Sequence, residues 1–144
     1  MTASQQLAAL LERRPPELAK VARAARAKLR KRLPGAVELV YDTYALVIGF
    51  SPTERPSDAI LSIAIYPRWV NLFFLQGAHL PDPGGVLQGS GHQVRFIRLD
   101  AGAARLDSPP VRALITEAVA FADAPFAGRR RLVIRSISTK TRRR

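Results

Sequence analysis

The most apolar stretch of the chain, residues 61–77, alternates its side-chain types with a period of two. Because successive side chains of a strand point to opposite faces, the pattern predicts two strands, 59–66 and 69–75, each with one strongly apolar face. The apolar positions are Leu61, Ile63 and Ile65 in the first strand and Val70, Leu72 and Phe74 in the second. Pro67 lies between them, and its fixed φ predicts a turn with proline in the second position or a longer loop. We expect this pair to form the centre of an antiparallel sheet.

Shorter runs with the same period predict further strands at 37–42, 44–50, 94–99 and 132–137. Apolar positions at helical spacing predict a short helix at 4–13, a long one at 17–33, and a third that opens at Pro109 and ends before Pro125. Helices before and after a run of closely connected strands favour an α+β two-layer sandwich. We therefore expect an antiparallel sheet of five to six strands with the N-terminal and C-terminal helices packed on one face.

Length and composition indicate one folded unit. With 144 residues, 47% of them hydrophobic, the chain can bury one sizeable core, and we expect a single domain over 1–137 followed by a disordered basic tail, 138–144. The absence of cysteine excludes disulfides and thiolate chemistry. The first residues lack a secretion-signal pattern, and no apolar run reaches the length of a membrane helix. These features predict a cytoplasmic protein that does not associate with membranes.

The net charge of +12 is unevenly distributed along the chain. Residues 1–32 carry nine Lys/Arg and two acids, residues 129–144 carry eight Lys/Arg and no acid, and residues 33–128 carry six Lys/Arg and nine acids. Basic segments of this kind bind nucleic acid or other polyanions through phosphate contacts, although a solvated helix face and an unstructured tail are the alternative. The polyanion-binding candidates are Lys20, Arg23, Arg26, Arg30 and Lys31 on the helix and Lys140, Arg142, Arg143 and Arg144 in the tail.

Aromatic residues in and around the central strands form a candidate ligand pocket. Apolar walls with few polar groups are typical of small-ligand sites, and ordinary core and rim packing is the alternative. The pocket candidates are Tyr44, Tyr66, Trp69, Asn71 and Phe73, with Ser62 and Arg68 as further polar contacts.

Glycines in the string GSGHQVRF leave backbone N–H groups open to an anion, unless the string is only a turn that enters a strand. The anion candidates are Gly89, Gly91, His92 and Arg95. Four acids are weak metal candidates if folding brings them together, and otherwise we expect them to be solvated or paired with arginines. They are Glu38, Asp42, Glu54 and Asp58.

The string HLPD contains two more side chains that could bind a metal, His79 and Asp82. Two ligands fall short of a metal site, so a surface or capping role for His79 and a turn role for Asp82 are expected. The sequence shows no Ser/His/Asp arrangement and no paired carboxylates, so we expect a binding protein rather than an enzyme.

Four strings together resemble the YdhG-like family of domains of unknown function: ELVYDTYALVIGF, IAIYPRWVNLFFLQGAHLPDP, LQGSGHQVRFIRL and LVIRSIS. The resemblance covers residues 17–137, and His92 departs from it because the family more often has lysine there. The positions that follow the family's pattern are Glu38, Tyr41, Gly49, Tyr66, Val70, Leu72, Phe74, Gly77, Leu80, Asp82, Leu87, Gly89, Gly91, Arg95 and Ile97.

The resemblance implies a small α+β domain similar to frataxin in fold, and some members of the family are described as frataxin-like iron chaperones. Iron binding of that kind uses clustered carboxylates, whereas the eleven acids of this chain are spread along it. Our first hypothesis, which rests on the resemblance, is a carrier of a small ligand or a metal ion such as iron. The second is a protein that associates with nucleic acid or another polyanion, and the third is a partner-binding domain that uses an apolar sheet face around Trp69.

Overall fold

The computed structural model describes residues 1–122, 124–126 and 128–137, and within them it contains three helices and a six-stranded sheet. The helices are α1 (Ala3–Glu12), α2 (Pro16–Arg32) and α3 (Pro109–Phe121). The strands are β1 (Val37–Asp42), β2 (Leu46–Ser51), β3 (Leu61–Ile65), β4 (Val70–Phe74), β5 (Arg95–Arg98) and β6 (Arg131–Ile137). The predicted α+β class is confirmed, and each predicted helix and strand is present with its ends shifted by at most three residues.

The sheet has the strand order β5-β4-β3-β2-β1-β6. Strands β1 to β5 pair with their sequence neighbours in antiparallel register, as predicted. Strand β6, however, pairs parallel with β1, from Arg131 opposite Val37 to Ile137 opposite Asp42. The prediction of a wholly antiparallel sheet is therefore wrong. The long connection from β5 to β6 contains α3, and a crossover of that length permits the parallel direction.

Helix α2 brings the largest helical surface to the sheet. Pro16 opens the helix, where a missing N–H costs nothing, and Arg30, Lys31 and Arg32 occupy its last turn, where the helix dipole favours cations. Its buried side consists of three alanines and one leucine, which allow close approach to β3 and β4. They are Ala19, Ala22, Ala25 and Leu29.

One continuous hydrophobic core lies between the helices and one face of the sheet. Helix α1 packs against β6 and helix α2 against β3 and β4. The sheet contributes alternate residues of its strands to this core, which are Val40, Leu46, Ile48, Phe50, Leu61, Ile63, Ile65, Val70, Leu72, Phe74 and Ile97. Helix α3 adds Val111, Leu114, Ile115 and Ala118. The period-two pattern thus correctly identifies the face of the central hairpin that packs against the helices.

Gly77 begins a short 3₁₀ turn after β4 and has no room for a side chain. A Cβ atom at this position would lie 2.5 Å from the Cβ of Arg95 and 3.0 Å from its backbone nitrogen. We expect Gly77→Ala to lower the free energy of unfolding by about 1–3 kcal/mol, the usual cost of overpacking, in urea unfolding followed by circular dichroism. Gly91→Ala is the matched control, because nothing lies within 4 Å of its Cβ position. Equal losses in the two variants would contradict the packing argument.

Candidate functional site

The face of the sheet turned away from the helices is called the outer face here. Its side chains alternate with those of the core, so Leu39 and Ala64 are buried within it but are not part of the helix-side core. The register defines two rows that cross it from β1 to β5. The first row is Leu39, Gly49, Ser62, Phe73 and Phe96, and the second row is Tyr41, Val47, Ala64, Asn71 and Arg98.

Short side chains occupy the middle of the outer face and aromatic rings occupy its margins. Gly49, Ser62 and Ala64 lie on the two central strands and are buried. Phe73 and Phe96, which pair across β4 and β5, have ring centroids 5.6 Å apart and form the first aromatic cluster. The outer face therefore has short side chains over β2 and β3 and projecting aromatic rings over β4 and β5.

A second aromatic cluster lies at the end of the outer face where β3 turns into β4. Tyr66 N–H donates to the carbonyl of Trp69 at 2.8 Å, so Pro67 and Arg68 form the tip of a tight turn with proline in the predicted second position. The ring of Tyr66 lies 6.1 Å from that of Trp69 and 6.1 Å from that of Tyr44. Tyr44 is 71% exposed and Trp69 38% exposed, so this cluster faces solvent.

Arg98 connects the second cluster to the rest of the face. Its guanidinium carbon lies 4.9 Å from the centre of the Trp69 ring, and its side chain pairs with Asp100. Burial works to raise the pKa of the Asp100 carboxyl, but the bonds from Arg98 and from the Val70 N–H outweigh it, so this pKa lies below its ordinary value. The stabilisation from this group is therefore present above the ordinary aspartate pKa and is lost as the pH falls through the lowered pKa.

Asn71 lies between the two clusters on β4, two residues from Trp69 and two from Phe73 on the same face. Its side chain is buried, with 6% of the residue exposed, between Ala64 on one side and Arg98 on the other. Its Oδ1 atom is buried and accepts no hydrogen bond from any described residue. Such an acceptor costs about 1–3 kcal/mol, so its presence here calls for an explanation.

The structure places the predicted pocket residues on the same side of the sheet, but in two separate groups. Tyr44, Tyr66 and Trp69 form the second cluster, Phe73 belongs to the first, and Asn71 separates them. The sequence prediction missed Phe96 and Arg98, which join the site only because β5 pairs with β4. The period-two pattern of 94–99 placed both on one strand face, but it could not show which neighbour that face would meet.

In the glycine-rich loop of the predicted anion site, the half-buried arginine binds carbonyl groups of the loop itself. Arg95 Nη1 donates to the carbonyls of Gly91 and Val94 at 2.7 and 2.9 Å, so the guanidinium is used to hold the loop. His92 is exposed, and Gly89 has a φ of 113°, which favours glycine. This geometry fits the alternative interpretation, a turn that enters a strand.

The four acids of the predicted metal site have separate partners. Glu38 bonds Arg26 at 2.6 and 3.0 Å, and Asp42 bonds Arg14 at 2.7 Å, both on the helix side of the sheet. Glu54 pairs with Arg131, and Asp58 accepts from the Thr53 hydroxyl at 2.7 Å. Within the described parts of the chain, no group of three or more His, Cys, Asp or Glu residues could hold a metal ion. Arginine pairing, the alternative interpretation, is what the structure shows for three of the four.

Asp82 has the expected turn role, since its carboxylate accepts from the backbone N–H groups of Val86 and Leu87 at 3.0 and 2.9 Å. The exposed His79 stacks on Phe121 of α3, with ring centroids 5.7 Å apart. Next to this pair is a cavity of 250 Å³ that the sequence did not indicate, lined in part by Asp58, Gln76 and Phe121.

The predicted basic helix face is divided by the fold. Arg26 lies on the sheet-facing side of α2 and forms an ion pair with Glu38. Arg30 lies on the same side, with its Nε atom 3.5 Å from the Glu38 carboxylate. Lys20, Arg23 and Lys31 are exposed on the opposite side of α2. The predicted tail, 138–144, lies outside the described residues, as do its candidates Lys140, Arg142, Arg143 and Arg144.

Comparisons of the chain with protein-family models, with curated proteins and with solved structures give no match in any of the three. The resemblance to the YdhG-like family, the frataxin-like fold relationship and the cytoplasmic location therefore stay predictions. Across the described residues, no helix is both long and apolar enough to cross a membrane.

Proposed function

We propose that this protein is a binding domain that takes a small planar heteroaromatic ligand on the outer face of its sheet. The observation that carries the proposal is the unpartnered Oδ1 atom of Asn71, buried between two aromatic clusters. The proposal belongs to the small-ligand class and does not use iron, because three of the four candidate acids are already paired with arginines.

The spacing of the strand supports a planar ligand. Trp69 and Phe73 are four residues apart on one face, which separates them by about 13 Å along the strand. Ala64 keeps the floor beside Asn71 low, so a ring system can lie between the clusters. Aromatic side chains bind planar bases by stacking, at about 1–3 kcal/mol for each base.

Asn71 would supply the polar contact. Its Oδ1 atom would accept a hydrogen bond from a ring amine, which offsets the cost of burying that acceptor. A ligand stacked on Trp69 would have to displace Arg98, whose guanidinium lies over that ring and pairs with Asp100. The ligand class is therefore a planar heterocycle with an amino or ring N–H donor.

Trp69 provides a direct readout, because it is the only tryptophan of the chain. The experiment titrates the protein with adenosine and with purine riboside, which lacks the 6-amino group, while tryptophan fluorescence is recorded. Adenosine is the probe because asparagine side chains match the donor and acceptor of an adenine edge. We expect saturable quenching by adenosine and about 10-fold weaker binding of purine riboside. The absence of a saturable response to adenosine would overturn the proposal. Equal affinity for the two probes would mean that Asn71 does not accept a hydrogen bond from the 6-amino group.

The variant Asn71→Leu separates binding from stability. Leucine has a similar volume and removes the unpartnered acceptor, so we expect the midpoint of thermal unfolding to stay the same or rise. The same variant should lose the preference for adenosine over purine riboside. A clear fall in the unfolding midpoint would mean that Asn71 has a structural role.

Arg68→Ala is the matched control for the titration. Arg68, which the sequence suggested as a polar contact of the pocket, is exposed at the tip of the turn between Tyr66 and Trp69, and it makes no hydrogen bond or ion pair with another described residue. We expect adenosine binding in this variant to equal that of the unaltered protein, because the control changes the turn surface but not the floor of the site.

A further inference from the structure

The C-terminal half of α2 and the segment before β6 form a second feature on the opposite side of the molecule from the outer face. This basic groove has a volume of 440 Å³ and is lined by Ala27, Lys28, Arg30, Lys31 and Arg130. Arg130 Nη2 donates to the carbonyl of Arg30 at 2.9 Å, which joins the two segments. All of its lining residues except the small Ala27 are cations.

Only part of this charge is neutralised inside the molecule. Lys28 pairs with Asp107 at 2.6 Å, and Arg30 lies 3.5 Å from Glu38. Lys31 and Arg130 have no acidic partner in the part of the chain that the structure describes. One N–H of Arg130 caps a carbonyl in the last turn of α2, and the helix dipole favours cations at this end of the helix. Neither effect requires that both Lys31 and Arg130 lack an acidic partner in the same groove.

The positive surface continues beyond the groove. Lys20 and Arg23 are exposed on the same side of α2, again without an acidic partner among the described residues. The distance along the helix axis from Lys20 to Lys31 is about 16 Å, from eleven residues at 1.5 Å each. One strand of a duplex places a phosphate about every 3.4 Å along its axis, so the row matches about five phosphates.

We propose that this basic groove binds the sugar–phosphate backbone of nucleic acid, with Lys31 and Arg130 as the central contacts and Lys20 and Arg23 extending the row. The small side chains of Ala24 and Ala27 between the cations allow a backbone to approach the helix closely. The same exposed side has no large apolar side chain, whereas membrane-surface helices insert an apolar face. The proposal is independent of the ligand on the outer face.

The test is fluorescence anisotropy with labelled oligonucleotides of about 20 nucleotides, single-stranded and duplex, from about 50 to about 300 mM salt. The full chain is compared with Lys31→Glu/Arg130→Glu and with the control Arg55→Glu/Arg68→Glu, which has the same net charge at two exposed positions outside the groove. We expect the groove variant to bind at least about 10-fold more weakly and the control about twofold more weakly. The log–log salt slope for single strands should fall by about 1.4 in the groove variant, since two phosphate contacts are lost.

Three results would overturn this proposal. Equal weakening by the two double variants would mean that net charge alone attracts the oligonucleotide. Unchanged binding in the groove variant, with loss when Lys140, Arg142, Arg143 and Arg144 are changed to glutamine in the full chain, would place binding in the tail. Equal affinity for phosphatidylserine vesicles would assign the groove to lipid headgroups. The single variant Lys31→Glu repeats the test and keeps the hydrogen bond from Arg130 to the carbonyl of Arg30 on α2. A loss of binding in this variant therefore cannot be explained by disruption of that bond.

Discussion

Replacing Glu38 with alanine should lower the free energy of unfolding by about 3 kcal/mol, measured by urea unfolding with circular dichroism. Glu38 is 1% exposed and lies on the helix side of the sheet, where it holds Arg26 through two hydrogen bonds. Removing it leaves that guanidinium in a largely apolar place without a counter-charge, which costs about 3–5 kcal/mol in buried pairs. The lower end applies because Arg26 retains 20% of its side-chain exposure.

Two further variants show whether this loss comes from the uncompensated charge. Glu117→Ala removes an exposed acid of α3 and should stay within about 0.5 kcal/mol of the unaltered protein. Glu38→Leu/Arg26→Met removes both charges, and it should recover most of the stability because apolar residues replace buried ion pairs well. If the double variant is as unstable as Glu38→Ala, the charge explanation is wrong and lost packing is responsible.

Leu29→Ala should lower the free energy of unfolding by about 2–5 kcal/mol in the same assay. Leu29 is fully buried and is the one large residue on the buried side of α2, which packs on β3 and β4. The neighbouring Ala22 and Ala25 have no longer side chains that could fill the space, so a cavity would remain. Leu29→Met, which keeps the volume, should lose less than about 1.5 kcal/mol. Similar stability of the alanine variant and the unaltered protein would mean that α2 is not docked on the sheet.

The central hairpin was predictable because it depends on local information. The alternation in 59–66 and 69–75 identifies the buried face, and Pro67 locates the turn. The direction of β6 was not predictable in this way, because no local feature of residues 132–137 determines whether this strand pairs parallel or antiparallel with β1. That direction follows from the path of the chain through α3, which places Arg131 opposite Val37.

The candidate site shows the same division between local and long-range information. Trp69, Asn71 and Phe73 alternate within the predicted strand 69–75, so the sequence alone placed them on one face, although β4 begins only at Val70. Phe96 and Arg98 required the register of β5 on β4. Glu38 and Asp42 lie on one face of β1, and that face is the helix side, where arginines pair with them. The spacing of Arg26 and Arg30, four residues apart on one helix side, was the signal that arginines rather than a metal would meet Glu38.

The parallel docking of β6 has a consequence for the order in which the chain is made. Val37 and Arg131 are far apart in sequence, so β1 has no second neighbour until residues 131–137 have left the ribosome. Until then β1 is an open edge that can pair with another nascent chain. Contacts of such long range also slow folding. The charged Arg131 and Arg135 then lie on the strand that closes this edge, where charge discourages further strand addition.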